Sequence, residues 1–400
     1  MKSLRPESPL ELSEWIASST DRFRDEGVPA ITGASLDRPP SGLGTLPRLG
    51  VSTSLLAEVI DFQPRDLTIT VGAGMRLSAL ARVVEEAGLW LPLARQPDDR
   101  SVGGWVASAP VGPFDGSFGP VRRHVLACTM ILWDGRSTRW GRPVMKNVAG
   151  YEVTKLICGS RARLGIVTTV TLRLWPRPRM LRHYHLTGAA LSEVETMFAG
   201  APRCEAVLWQ GRAGGSESAT ASVSLAGGPG SVSTRTQQLE TWALDRGIDI
   251  EEEDRGPTGT GDGASAPRAR PGTSAAYRIT FGRRYLTAGL KDLDRRLVSE
   301  VDPWTVEAFP TSGVVRLLTL RQKAAGQRHA PAWLTTLADA VGRTSVQPPA
   351  LETPAVRIER GGEEEHSAAR RMRSTGSRDI ESRWLAAFAG VEVPWQTDYL

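Results

Sequence analysis

Lys146, Asn147, Gly150 and Tyr151 fall within one short stretch, VMKNVAGY, which brings together a cation, an amide, a position without a Cβ and a phenol. The chain holds only five lysines against forty-four arginines. An ammonium is a compact point charge that approaches a single oxygen where a planar guanidinium does not fit. Lys146 in this turn therefore suits a specific partner, either an anionic ligand or a loop-ordering salt bridge, or else simple solvation, the state of most surface lysines. Tyr151 suits packing with a hydrogen-bonded tip better than acid–base chemistry. Glycines recur in the connections between apolar runs at Gly72, Gly74, Gly103, Gly104, Gly159 and Gly165. Turns without side chains let backbone N–H groups converge on an anion such as a pyrophosphate.

The charge follows the glycines. Residues 120–180 hold twelve cations against two acids, Asp134 and Glu152, although the whole chain carries only +5. Such a stretch suits an anionic ligand or an acidic partner. A nucleic-acid role is not supported, because no helix-turn-helix, zinc finger or aromatic-studded strand accompanies the charge. The three cysteines, Cys128, Cys158 and Cys204, are odd in number and lack C-x-x-C spacing. That argues for buried thiols and against a disulfide framework or an iron–sulfur site. His183 and His185 share one face of an expected strand, HYH, but no third metal ligand accompanies them, so no metal site is expected.

These residues must be positioned by a chain of 400 residues, long enough for two or more domains. No apolar run nears the roughly 20 residues that span a bilayer. The N-terminal MKSLRPESPLELSEW lacks the apolar core of a signal peptide, so a cytoplasmic location is expected. The β-branched run LTITV at 67–71 predicts a strand, and GAG predicts a turn. The spacing of Leu77, Leu80, Ala81, Val84 and Ala87 then predicts a helix closed by Gly88. Further strands are expected around 125–132 and over LGIVTTVTLRL, with a hairpin turn at Asp134–Arg136 and a short helix in EVTKLICGS. In the second half, strands at 181–187, 204–210, 218–226, 275–281, 304–309, 313–320 and 355–360 alternate with helical patterns. This order predicts two ferredoxin-like units sharing one antiparallel sheet. Residues 251–274 are rich in Gly, Pro, Ser and charge, and are expected to form a surface loop.

Taken together, SVGG, GPFDGSFGPVRRHVL, VMKNVAGYEVTKLICGSRARLGIVTTVTLRLWPRP and the strand–helix at 67–88 resemble the FAD-binding domain of the vanillyl-alcohol oxidase/p-cresol methylhydroxylase (PCMH) superfamily. Within it, the likeness is to FAD-binding subunits of the glycolate-oxidase type. The resemblance runs in register over residues 25–180 and more weakly beyond. It implies an α+β chain: a two-subdomain PCMH-type FAD-binding domain over 1–180, then a ferredoxin-like α+β cap domain over 181–400. It also implies non-covalent FAD, since no histidine lies in 28–40. By the same resemblance Gly33, Ala34 and Ser35 match the pyrophosphate loop, and Ser101, Val102, Gly103 and Gly104 run along the flavin. Lys146, Asn147, Gly150 and Tyr151 lie beside the cofactor or the domain junction. Gly159 to Gly165 form a loop near it, and Ile166 and Val167 lie near the adenine end.

The partners so implied are a larger FAD-binding subunit, an iron–sulfur subunit and a small 2-hydroxy acid, with attachment at the inner membrane through those subunits. The sequence departs from the pattern in places. The three glycines usual in the first loop are reduced to Gly33 in TGASLDR. Ala162 and Arg163 replace a glycine and a threonine in the second loop, and Arg122–Arg123 replaces an Arg–Asp pair. No histidine-rich H-G-D-G-N motif is present, so no catalytic base is assigned. A structural or regulatory subunit with a decayed flavin site is the alternative that the altered first loop favours.

Overall fold

The computed structural model describes residues 2–26, 30–32, 49–92, 100–144, 152–199, 203–212, 215–253, 273–280, 305–310, 312–320 and 355–360. They gather into two compact units, one of Met1–Val111 with Phe118–Arg177, the other of Gly112–Ser117 with the described residues after 177. Both units mix helices with sheets, so the fold is α+β.

The first unit opens with strand β1 (Lys2–Leu4), helix α1 (Pro9–Glu26) and strands β2 (Ala30–Thr32) and β3 (Leu49–Ser52), a small parallel sheet ordered β1-β3-β2. Helix α1 packs Leu12 and Ile16 with Val51, Ile131 and Ile166. Next come β4 (Val59–Gln63), β5 (Thr68–Gly72), α2 (Leu77–Glu86), β6 (Leu89–Trp90), α3 (Val102–Ser108), α4 (Asp115–Phe118), of which 115–117 group with the second unit, and α5 (Val121–His124). The unit ends with β7 (Val125–Ile131), β8 (Ser137–Gly141), α6 (Val153–Ile157), β9 (Ile166–Arg173) and β10 (Trp175–Pro176). Among the described residues, five of these strands form an antiparallel sheet ordered β4-β5-β9-β7-β8. Helix α2 buries Leu77, Leu80 and Val84, one helical stripe, in the core that Ile69, Val71, Val170 and Leu172 supply. It ends where Gly88 takes a left-handed φ of 69°.

The second unit runs β11 (Met180–Thr187), α7 (Leu191–Ala199), β12 (Ala206–Arg212), β13 (Gly215–Gly227), α8 (Pro229–Leu244), β14 (Asp249–Glu253), β15 (Thr273–Thr280), β16 (Thr305–Phe309), β17 (Val314–Leu320) and β18 (Ala355–Arg360). All pair antiparallel in the order β14-β11-β13-β12-β16-β17-β15-β18. The first four strands lie fourth, first, third, second, the ferredoxin-like order, and the next four repeat that arrangement in mirror sequence. Pairing of β12 with β16 joins the two sets into one sheet. Tyr184, Leu186, Val207, Trp209, Ala221, Val223, Val306, Ala308 and Val315 share one apolar core with α7 and α8. His183, His185, Ser222, Ser224 and Glu307 alternate with them and lie on the other face.

One sequence expectation is corrected here. Residues 275–281 were expected as the fourth strand of the first set, with the loop starting at Glu251; the fourth strand is instead β14, whose sequence is DIEEE. Apolar content hid it, because β14 is the margin of the described sheet and margins favour charge. Its acids answer basic side chains on β11: Arg182 Nη1 lies 2.9 Å from Glu252 Oε2, and His185 Nε2 lies 2.8 Å from Glu253 Oε2. Thr273 and Ser274 likewise open β15. The rest of the expected loop, 254–272, lies outside the described residues.

Among the described residues no helix is long and apolar enough to cross a membrane, and no cluster of His, Cys, Asp and Glu could hold a metal ion. Burial pushes the thiols of Cys128, Cys158 and Cys204 up to about 12, so they stay protonated and unreactive at neutral pH.

A largely buried ion pair fixes α8 to the sheet. Arg235 Nη1 donates to both oxygens of Glu205 (2.7 and 2.8 Å), and the Ala226 N–H donates to Glu205 Oε2 at 2.7 Å. Glu205→Ala takes the countercharge from that guanidinium, which keeps only backbone carbonyl acceptors, and leaves that amide without its acceptor, and should lower unfolding free energy by about 2 kcal/mol in a urea titration. A change below about 0.5 kcal/mol, the range of neutral surface substitutions, would contradict this role.

Candidate functional site

The turn from β5 into α2 is built from backbone alone. Gly72 N donates to Glu58 O at 2.9 Å, and Gly74 N donates to Leu56 O at 2.7 Å. The 53–58 segment thereby lies directly on the turn. A Cβ on Gly72 would stand 2.2 Å from the Leu56 carbonyl oxygen, and one on Gly74 1.8 Å from that of Thr53, so only glycine fits either position. Between them, Ala73 donates to Thr168 O of β9 (2.8 Å) and accepts from Gly103 N of α3 (2.7 Å).

Helix α3 is seated on this turn by its first residues. Val102 N donates to Met75 O at 2.8 Å, and Ser101 Oγ caps the helix by accepting from Gly104 N at 3.1 Å. A Cβ on Gly103 would meet Ala73 Cβ at 2.8 Å, whereas at Gly104 it would meet only Ser101 Oγ, at 3.2 Å. Gly103 therefore serves helix-on-turn packing, and Gly104 leaves a partly exposed patch of bare backbone.

The second glycine loop rests on the other end of α3. Gly159 N donates to Val106 O and Arg161 N to Ala107 O, both at 2.9 Å. Arg161 and Ala162 then take left-handed φ values of 52° and 61°, and Arg163 N closes the turn onto Ser160 O at 3.1 Å. The Trp133 indole donates to Arg163 O at 3.0 Å, and a Cβ on Gly165 would stand 2.3 Å from the Ile131 carbonyl oxygen. Ile166 and Val167 continue directly into β9, paired with Ile131 and Met130 of β7 and buried.

A third feature is polar and buried. His124 Nε2 donates to Gly119 O at 3.0 Å, while its Nδ1 has no partner. Arg173 stacks on the Trp175 ring at 4.1 Å, and the Arg173 Nε and Trp175 Nε1 atoms are also buried without partners. Phe118 sits edge-on between Trp90 and Trp175. Burial, with a further push from Arg173, lowers the His124 pKa to about 4 despite its bond to Gly119, so the ring is neutral at physiological pH. Gly104 thus offers bare backbone, and His124, Arg173 and Trp175 hold polar atoms that the protein leaves unused.

A family model described as an FAD binding domain matches residues 24–141, which contain β5, the glycine turn and α3. Residues 24–141 are thus similar to an FAD binding domain. The "Glycolate oxidase subunit GlcE" of Escherichia coli (strain K12) is 32% identical over 197 residues, covering 46% of this chain and 56% of that protein. The "Probable D-lactate dehydrogenase, mitochondrial" of Danio rerio is 33% identical over 181 residues, 44% of this chain and 35% of the relative. The chain thus spans about half, or less, of the curated relatives it matches. Among solved structures, an alkyldihydroxyacetonephosphate synthase superposes with a TM-score of 0.63 at 11% identity, over 97% of this chain and 74% of that one. That likeness shows the fold alone.

Ser101, Val102, Gly103, Gly104 and Gly159 are brought together at α3, and Gly165 sits farther along the second loop, against Ile131 of β7. The N–H groups of 102, 103, 104, 105, 159 and 161 are all taken by protein acceptors. Gly33, Ala34, Ser35, Lys146, Asn147, Gly150 and Tyr151 lie outside the described residues. Lys155, by contrast, is exposed and paired with Glu152. Sequence reasoning passed over His124, Arg173 and Trp175; a single histidine in the first 180 residues was the available signal, but burial without a partner is legible only in three dimensions.

Two outcomes follow from this geometry. Ala162 holds a left-handed φ of 61° without being glycine, so Ala162→Gly should raise unfolding free energy by about 1 kcal/mol, the left-handed strain exceeding glycine's added unfolded-state entropy. Lower stability in the variant would show the turn is not strained. His124 binds its proton more weakly folded than unfolded, so stability is full above pH 6.5 and falls as pH drops toward 4, by roughly 3 kcal/mol. His124→Gln, whose amide still reaches Gly119, should flatten that limb of a denaturation–pH series; an unchanged limb would assign the loss to other groups.

Proposed function

We propose that this chain is the FAD-binding subunit of a 2-hydroxy-acid dehydrogenase of the glycolate-oxidase type, acting beside a larger FAD-binding subunit and an iron–sulfur subunit. The observation that carries the reading is the 32% identity with a glycolate oxidase subunit over 197 residues, beside the match of an FAD binding domain model to 24–141, which holds the glycine turn and α3. The FAD is bound non-covalently. A bound flavin accepts hydride from an α-hydroxy acid and releases the electrons onward.

The chain's own groups have separate roles in this reading. The N–H groups around α3 are committed to protein, so this region offers shape, with Gly104 giving close approach to a planar ring. Donors for the pyrophosphate come instead from Gly33, Ala34 and Ser35, with Lys146 and Asn147 beside them and Gly150 and Tyr151 ordering that turn. Gly159, Gly165, Ile166 and Val167 hold the second loop against the adenine end. The domain boundary lies near residue 180, and the following sheet is the cap. The described residues show no arrangement of base and cations for deprotonating a hydroxy acid, which favours chemistry completed by a partner.

Acid precipitation should release the yellow chromophore into the supernatant; colour kept in the pellet would mean a covalent link. Lys146→Ala should weaken FAD binding at least about fivefold, as expected for a lost charge-assisted contact. Lys155→Ala, already paired with Glu152, should leave affinity unchanged. Equal affinities would return Lys146 to solvent. The isolated chain should turn over neither glycolate nor D-lactate with an artificial acceptor, and should gain activity on co-expression with the two subunits. Full turnover by the single chain would overturn the partnership. Activity of the assembly with a flavin-free chain would support instead a structural subunit, the reading that the altered first loop favours.

A further inference from the structure

Three buried polar atoms of the first unit have no hydrogen-bond partner in the protein: His124 Nδ1, Arg173 Nε and Trp175 Nε1. They belong to one neighbourhood. The Arg173 guanidinium carbon lies 4.1 Å from the centre of the Trp175 ring. That ring meets Phe118 edge-on, with centroids 5.1 Å apart, and the next residue, Gly119, offers its carbonyl to His124 Nε2. On the strand side Val125 pairs with Leu172, so His124 and Arg173 adjoin the same pair, and Arg173 is near enough to oppose protonation of His124. The place is not the glycine turn. Arg173 pairs with Thr68 at the start of β5, whereas Gly72 ends that strand, about 13 Å along it.

Buried polar groups in folded proteins are hydrogen-bonded, and the chemistry of these three atoms states what their partner must offer. Arg173 Nε and Trp175 Nε1 carry hydrogens and only donate. His124 gives its Nε2 hydrogen to Gly119, so its Nδ1 holds a lone pair and only accepts. The partner therefore supplies two acceptor positions and one donor. Arg173 also brings a full positive charge, and among the described residues no carboxylate pairs with it. The three atoms have almost no contact with solvent, and the rings of Trp90, Phe118 and Trp175 stand beside them, which favours a ligand of few atoms.

We propose that this cluster is a binding site for a small monoanion that carries an O–H group. Its anionic oxygens accept from Arg173 and Trp175 and offset the guanidinium charge, while its O–H donates to His124. Hydrogen carbonate and a small hydroxy carboxylate share this chemistry. Burial holds the His124 pKa at about 4, so the ring accepts the hydrogen bond without taking the proton: the site binds and does not deprotonate. Arg173 and Trp175 are only half-buried as residues, so the ligand enters past their exposed edges.

The test is calorimetric titration of the full chain as purified, at pH 8 and fixed ionic strength, with hydrogen carbonate and glycolate and with two monoanions that lack the O–H, nitrate and acetate. Without a donor the His124 lone pair stays unmet, a loss that separates affinities about tenfold. At least one O–H anion should therefore bind saturably and at least about tenfold more tightly than its counterpart. A preference for hydrogen carbonate over nitrate alone assigns the first source, and one for glycolate over acetate alone the second. Trp175→Phe keeps a ring and removes one N–H, and should weaken that binding about fivefold. His124→Phe removes the acceptor and should erase the preference for the O–H anion, which looser packing alone does not do. Should either variant fail to fold, judged by circular dichroism, Arg173→Lys keeps the charge, loses the Nε donor, and should weaken binding severalfold. Equal binding within each pair of anions, no saturable binding, or a preference untouched in the folded variants would overturn the proposal.

Discussion

The first unit depends on the backbone approach made at Gly72, Ala73 and Gly74. Three residues receive the 53–58 segment, strand β9 and helix α3 through hydrogen bonds of 2.7–2.9 Å, and side chains at the two glycines would overlap carbonyl oxygens. Because α3 is seated there, the 159–165 loop that rests on the other end of α3 is placed as well. Two glycine-bearing segments distant in sequence thus reach one helix through main-chain contacts. Main-chain contacts of this kind tolerate change in most side chains but not the gain of a Cβ.

The same logic explains how strain enters the second loop. Arg161 and Ala162 adopt left-handed φ without glycine, and the cost is borne because Gly159, Arg161 and Trp133 hold the loop from both sides.

Much of the framework was legible in the sequence. The run LTITV followed by GAG and an i, i+3, i+7 apolar stripe leads to β5, its turn and α2, because β-branched alternation, glycine and helical spacing each have one local solution. The β7–β8 hairpin was legible through Asp134–Arg136, where the Asp134 carboxylate accepts from the Arg136 N–H at 3.0 Å. The repeated ferredoxin-like order was legible too, though not the identity of its fourth strand. DIEEE lacks the apolar alternation of a buried strand, and what makes it one is the pairing of its acids with Arg182 and His185, seventy residues distant. The candidate site was legible as a set of glycines but not as a set of roles: Gly103 packs a helix while its neighbour Gly104 stays open. The buried trio His124, Arg173 and Trp175 left no spacing for a pattern to find.

The central claim is that this chain holds its own flavin. It is tested most directly by reconstituting the flavin-stripped full chain with FAD and titrating the change in flavin fluorescence against protein concentration. The account predicts saturation at one FAD per chain, with visible flavin absorbance that remains with the protein on gel filtration. Fluorescence that stays equal to that of free FAD throughout the titration, with no absorbance co-eluting with the protein, would contradict it.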